Sequence, residues 1–103
     1  MDAMSEEAPL PTEYAMLSAY PNPFNPVTNI GFELPEESVV KVIIYDIRGQ
    51  EVATLMDGAM LAGHYSINWD AADIASGIYF VNFTASGSGM SSISKIQKLM
   101  LIK

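Results

Sequence analysis

Hydrophobic and polar residues alternate along most of this chain, with the two-residue period of a half-buried β-strand. Residues 27–34 follow this alternation, with Ile30 and Phe32 on the apolar face. Residues 38–47 are instead apolar on both faces, as Val42 and Ile43 illustrate. We therefore predict a half-buried strand over 27–34 and, over 38–47, a strand that is either central or partly covered on its outer face, because both of its faces are apolar.

Turn residues separate these runs from five further predicted strands. Arg48-Gly49 supplies the positive φ of a hairpin, and Asp57-Gly58, Ser76-Gly77 and residues 86–89 are the other turn signals. Trp69 alternates with polar neighbours and is expected to face the core. The predicted strands cover residues 14–19, 27–34, 38–47, 51–56, 64–70, 78–85 and 90–103.

A rigid corner precedes the second strand, where three prolines stand within six residues. Proline fixes φ and has no backbone N–H, so this stretch forms neither a helix nor a central strand. The intervening asparagines can close the turn through side-chain hydrogen bonds. We predict that this segment, the proline corner, leads into a β-sandwich and is not a catalytic loop. Its residues are Tyr20, Pro21, Asn22, Pro23, Phe24, Asn25 and Pro26.

Short strands, regularly spaced turns and the lack of a helical period together predict an all-β fold. The fold class is an antiparallel β-sandwich of about seven strands, immunoglobulin-like or fibronectin III-like. The chain has no cysteine, so no disulfide links the two sheets. Its 103 residues fit one domain. We assign residues 14–103 to that domain and residues 1–13, which are acidic and contain two prolines, to a solvated linker or arm.

The charge of the chain restricts its partners. Twelve acidic and five basic residues give a net charge of −7, and no basic stripe is present, which argues against nucleic acid as a partner. No apolar run approaches the roughly 20 residues of a membrane span, so we expect no membrane insertion. Residues 1–19 lack the pattern of a signal peptide, so if the protein is exported, we expect the chain to be either a mature fragment or a domain of a longer protein.

Candidate residues for chemistry are few. His64 is the only histidine, and Ser66 and Asp70 follow it on one extended strand, where the three side chains do not converge into a catalytic triad. Asp70 and Asp73 are weak calcium candidates, because the spacing of a calcium loop is absent and Asp70 is expected to bind loop amides instead. One histidine without cysteine argues against zinc. We predict no catalytic residues, no enzyme activity and no cofactor.

Seven motifs occur in a specific order and spacing: Tyr20–Pro26, Thr28–Pro35, Ile44–Val52, Ala62–His64, Trp69-Asp70, Ala75–Phe80 and Lys98–Lys103. On these motifs, residues 14–103 resemble the C-terminal sorting domain of the type IX secretion system, also called Por secretion, type A. That domain is similar to the immunoglobulin-like module of flagellar hook-capping proteins. Besides the proline corner, the resemblance marks as structural positions Asp46, Gly49, Gly63, Trp69, Gly77 and Tyr79.

The resemblance implies a bacterial, non-catalytic module that directs a cargo protein through the periplasm to the cell surface or the medium. The implied partners are the outer-membrane secretion machinery, a sortase-like peptidase and an upstream cargo domain. We expect recognition to use the shape and exposed backbone of the proline corner and of the C-terminal segment. That segment comprises Lys98, Leu99, Met100, Leu101, Ile102 and Lys103.

Two alternatives remain open from the sequence. The last strand either lies at a sheet edge, where unpaired backbone groups accept a partner strand, or is a closing strand covered by the first strand. The function is either sorting or that of a structural β-sandwich interaction module, such as a spacer, adhesin or filament subunit of an extracellular protein. In the second function, either the acidic arm, residues 1–13, or an open edge strand pairs with a neighbouring molecule, so that the module self-associates.

Overall fold

Two antiparallel sheets form the fold in a computed structural model, which describes residues 9–89 and 92–103. The strands are β1 (Ala15–Met16), β2 (Val27–Leu34), β3 (Ser38–Asp46), β4 (Glu51–Met60), β5 (Gly63–Asp70), β6 (Gly77–Gly87) and β7 (Ser92–Leu101). One sheet has the order β1-β2-β5 and the other β4-β3-β6-β7. No helix long and apolar enough to cross a membrane occurs in the described residues. The predicted all-β fold of seven strands is confirmed.

The core lies between the two sheets and follows the alternation in the sequence. Phe32 of β2 packs on Phe83 of β6 across the sandwich, with ring centroids 4.9 Å apart. Trp69 is 6% exposed, which confirms its predicted position, and it contacts Phe24 and Tyr79 at centroid distances of 5.5 and 6.0 Å. β3 lies between β4 and β6, so the prediction of a central strand is also confirmed.

The predicted turn at Asp57-Gly58 is wrong. β4 runs through both residues to Met60, with Asp57 paired to Lys41 and Gly58 paired to Val40. A shift in register places the extra residue of a β-bulge at Leu55. The glycine weakens a strand only modestly, and pairing along the whole length of β3 outweighs that cost. The connection to β5 is therefore made at residues 61–62.

Other strand ends differ less from the prediction. β1 is two residues long instead of six, although Leu17 N still donates to Gly31 O at 2.8 Å and Tyr20 still pairs with Asn29. Ser86 and Gly87, predicted to be part of a hairpin tip, belong to β6. Residue 90, the predicted start of the last strand, lies outside the described residues.

The predicted hairpin between β3 and β4 is confirmed, and Asp46 organises it. Its carboxylate accepts hydrogen bonds from Gln50 N at 3.0 Å and from Arg48 N at 2.9 Å, while Gly49 takes a φ of 85°. The Gln50 amide, followed by the Arg48 amide and guanidinium, lowers the pKa of Asp46 below its ordinary value of 3.8. A residue with a side chain would be strained at this φ, which explains the glycine.

Candidate functional site

The proline corner lies along the outer edge of β7, the last strand of the four-stranded sheet. Phe24 N donates to Met100 O, and Ile102 N donates to Phe24 O, both at 2.9 Å. This is the pattern of a short parallel bridge, so Phe24 acts as one residue of an additional strand. Two segments that the sequence singled out separately, 20–26 and 98–103, are thus in direct contact.

The side chain of Asn22 extends this pairing by one step. Its Nδ2 donates to Lys98 O at 2.9 Å, and its Oδ1 accepts from Met100 N at 3.0 Å. A carboxamide carries the same donor and acceptor as a peptide unit, so Asn22 substitutes for a main-chain group of a neighbouring strand. Together Asn22 and Phe24 pair the outward backbone groups of β7 from Lys98 to Ile102.

The corner is held in place by its own contacts with the sandwich. The Phe24 ring is 2% exposed and packs on Trp69. The hydroxyl of Thr28, which is fully buried, donates to Pro21 O at 2.7 Å. The peptide bonds that precede Pro21, Pro23 and Pro26 are all cis. The contacts of Phe24 and Thr28 make the corner a docked part of the domain and not a free loop.

Gln97 joins β7 to the segment before the corner. Its Oε1 accepts from Ala19 N at 2.6 Å and its Nε2 donates to Leu17 O at 3.3 Å. Gln97 was not among the candidate residues predicted from the sequence. Its signal is a polar side chain on the same face of the strand as Leu99 and Leu101, where the alternation predicts an apolar one.

The C-terminal segment divides into buried and exposed positions. Leu99 and Leu101 are buried at 0% and 1% exposure, whereas Ile102 is half exposed and Lys98 is exposed. Lys103 closes the loop before β6, because its Nζ donates to Ala72 O at 2.6 Å and also to Ile74 O, and its backbone N donates to Ser76 Oγ at 3.1 Å. β7 is an edge strand, but over 98–102 its edge is covered by the proline corner and not by β1.

His64 and the calcium candidates form no catalytic or metal arrangement. His64 Nε2 is 3.0 Å from Pro9 O and Nδ1 is 3.1 Å from Glu33 Oε2, so neither nitrogen is directed at Ser66. The Pro9 carbonyl, followed by the Glu33 carboxylate, raises the pKa of His64 above 6.5. Asp70 Oδ1 accepts from Ala72 N at 3.0 Å. Across residues 9–89 and 92–103, no group of three or more metal-ligating side chains occurs.

The outer face of the four-stranded sheet is more apolar than expected for a solvated surface. Tyr45, Phe80 and Ile96 border a groove of about 420 Å³, and Ile96 is 67% exposed. Asn82 lies in the same groove, and its Oδ1 is buried without a hydrogen-bond partner among the described residues. Tyr45 belongs to the strand that was predicted to be either central or partly covered on its outer face, and the structure shows this strand to be central.

The family of the chain follows from a comparison over residues 18–99, which match the model of the secretion system C-terminal sorting domain. The chain belongs to this sorting-domain family. The match includes the whole proline corner and β7 as far as Leu99, so the two segments that meet in the structure both lie within it. The resemblance drawn from the motifs, to the sorting domain of type IX secretion, is confirmed. The similarity to the hook-capping module stays a prediction.

A sorting domain of this family makes the protein a secreted or cell-surface protein that interacts with a secretion machinery. No curated protein sequence matches the chain. Among solved structures, CopC from Methylosinus trichosporium OB3b is similar, with a TM-score of 0.54 and 16% identity over 86% of this chain and 93% of that one. At this identity the likeness supports the β-sandwich fold alone.

Proposed function

We propose that this chain is a non-catalytic sorting and anchoring module that directs an attached cargo through the type IX secretion system to the cell surface. In this proposal residues 14–103 are the sorting domain, and residues 1–13 are the linker to the cargo. The supporting observation is that the proline corner pairs with β7 through Asn22 and Phe24. The translocon then recognises a folded surface made of both segments, and not a linear C-terminal peptide.

The proposal also assigns roles within this surface. Lys98, Met100 and Ile102 present their side chains beside the corner, while Leu99 and Leu101 anchor the strand in the core. Because both anchoring residues are buried, truncation at residue 97 removes the strand end together with the partner of the corner. A sortase-like peptidase would act on the linker, residues 1–13, after export, since this segment lies outside the sorting domain.

A secretion assay tests this function. Residues 14–103 are fused behind a fluorescent reporter that is targeted to the periplasm, in a strain with a functional type IX system and in its translocon-deficient twin. We expect the reporter in the medium or on the surface of the competent strain only, and deletion of 98–103 should retain it in the periplasm. Normal export of the truncated fusion, or retention of the full-length fusion in both strains, contradicts the proposal.

Asn22→Ala provides a sharper test than deletion. This variant removes both side-chain bonds to β7, and we expect export to fall about tenfold while the domain stays folded. Asn68→Ala is a matched control, because Asn68 is also exposed and loses only one hydrogen bond, to Asn29 Oδ1 at 3.1 Å. Equal export of the two variants would contradict a role for the paired corner and strand.

A further inference from the structure

One part of the β7 edge is left open by the proline corner. In an antiparallel pair, alternate residues direct their N–H and C=O groups away from the partner strand. The outward bonds of Lys98, Met100 and Ile102 show that the even-numbered residues of β7 face this edge. Ser94 and Ile96 therefore face it too, and no backbone bond from either to another described segment occurs on that side.

This open edge differs in charge from the rest of the chain. All twelve acidic residues precede residue 74, whereas residues 74–103 carry three lysines and no acidic residue. Two of these lysines, Lys95 and Lys98, lie on opposite faces of β7, and both are exposed. An added strand would run about 4.8 Å from β7, so acidic side chains on either of its faces would come within reach of a lysine.

A groove continues the edge at the start of the strand. Its volume is about 380 Å³, and its lining includes Tyr14, Pro35, Ser92 and Ile93. Glu13, the one acidic residue in the lining, belongs to the segment that precedes β1. The groove offers a place for an apolar side chain of a segment that pairs with β7.

We infer that the free edge of β7 at residues 92–96 binds an acidic, extended segment of a partner protein by strand addition, in line with the proline corner. The proline corner shows that this edge accepts an added strand, because Phe24 already pairs with β7 through main-chain hydrogen bonds. Charge favours an acidic partner, since Lys95 and Lys98 lie along β7 and residues 74–103 carry no acidic residue. This inference rests on the proposed function only in taking the partner to belong to the secretion machinery.

Peptide binding to the purified full chain tests the inference without requiring export. The probe is a capped eight-residue peptide that alternates glutamate and valine, and its controls carry lysine for glutamate or N-methylated backbone. We expect saturable binding of the acidic peptide alone, with NMR shift changes confined to residues 92–97. No binding, equal binding of the lysine peptide, or shift changes centred on β4 would overturn the inference.

Two variants test separately how main-chain pairing and charge contribute to peptide binding. Ser94→Pro removes an outward N–H while leaving the bonds to β6, and should abolish binding. The double variant Lys95→Glu and Lys98→Glu should weaken peptide binding at least tenfold. Lys41→Glu is the control, because Lys41 is an exposed lysine on β3, and it should change binding less than twofold. Because the charge variants preserve the strand, they report even if the proline variant fails to fold. Unchanged binding in the charge-reversed variant would overturn the inference.

Two further outcomes distinguish this inference from its alternatives. Dimerisation of the chain alone that the same variants abolish would assign the edge to a second copy and overturn the inference. Export that fails for the unmodified fusion, while the acidic peptide still binds, refutes the sorting function and leaves the binding site in place. Normal export combined with no peptide binding refutes the binding site and leaves the sorting function in place.

Discussion

Replacing Phe24 with alanine tests whether the proline corner is a structural part of the domain. The ring is 2% exposed and contacts Trp69 at a centroid distance of 5.5 Å. Loss of its burial costs about 2.5 kcal/mol, and loss of the aromatic pair adds about 1 kcal/mol. We therefore expect the free energy of unfolding to fall by about 3–4 kcal/mol, in the range measured for buried phenylalanines.

Urea unfolding followed by tryptophan fluorescence measures this change, because Trp69 is the only tryptophan and lies against the altered site. With a slope of about 1–2 kcal/mol per molar urea, the midpoint should fall by roughly 2 M. Tyr20→Ala is the control, since this aromatic residue of the same corner is 78% exposed and should cost less than about 0.5 kcal/mol. A loss below 1 kcal/mol for Phe24→Ala, or equal losses for both variants, would show that the corner is not a structural part of the domain.

Three further predictions concern the turns and the titrating groups. Gly49→Ala should lower the free energy of unfolding by about 1 kcal/mol through backbone strain at φ 85°, whereas Gly89→Ala, where an added Cβ also meets open space, should be neutral in the same urea assay. Because the pKa of Asp46 is lowered in the folded state, the stabilisation from its hydrogen bonds is fully present above pH 3.8 and is lost as the pH falls through the lower folded value. NMR titration of this carboxyl group in the native chain should give a midpoint below 3.8. A midpoint at or above 3.8 would contradict the turn geometry. Because the pKa of His64 is raised in the folded state, its protonated ring stabilises the fold fully below pH 6.5, and this stabilisation is lost as the pH rises through the folded value. NMR titration of the ring should therefore give a midpoint above 6.5. Glu33→Gln should reduce this pKa shift without removing it, because the Pro9 carbonyl remains.

Alternation in the sequence predicted the strands whose inner and outer faces differ. β2 begins and ends at the predicted residues, and on β3, which was predicted to be apolar on both faces, Val40, Val42 and Ile44 are fully buried. The failure at Asp57-Gly58 has a physical cause, because these residues favour turns locally but are held in β4 by pairing with Lys41 and Val40. Local propensity was overridden there by the length of the neighbouring strand.

The candidate site was predicted only as separate segments. The motifs pointed to the corner and to the C-terminal strand, yet the bonds of Asn22 join residues 76 and 78 positions apart in sequence. Alternation describes the two faces of a strand and contains no information on what lies along its edge. The contact was therefore not accessible from a single sequence, whereas the polar residue at position 97 on an apolar face was a readable signal.

The edge of β7 is half covered and half open. This arrangement suits two requirements of a sorting domain, which must avoid pairing with its own copies and must still bind a partner. An uncovered edge along the whole of β7 would invite pairing between copies before export. The corner removes this hazard over 98–102, and the lysines at 95 and 98 disfavour a second β7 at the remaining opening through like-charge repulsion. The same lysines attract an acidic strand, so one arrangement of charge opposes self-association and favours a partner. Replacing both lysines with glutamine removes this repulsion and the attraction for acidic side chains, so it should weaken binding of an acidic strand and favour association between copies. Sedimentation of this double variant beside the native chain measures the second effect.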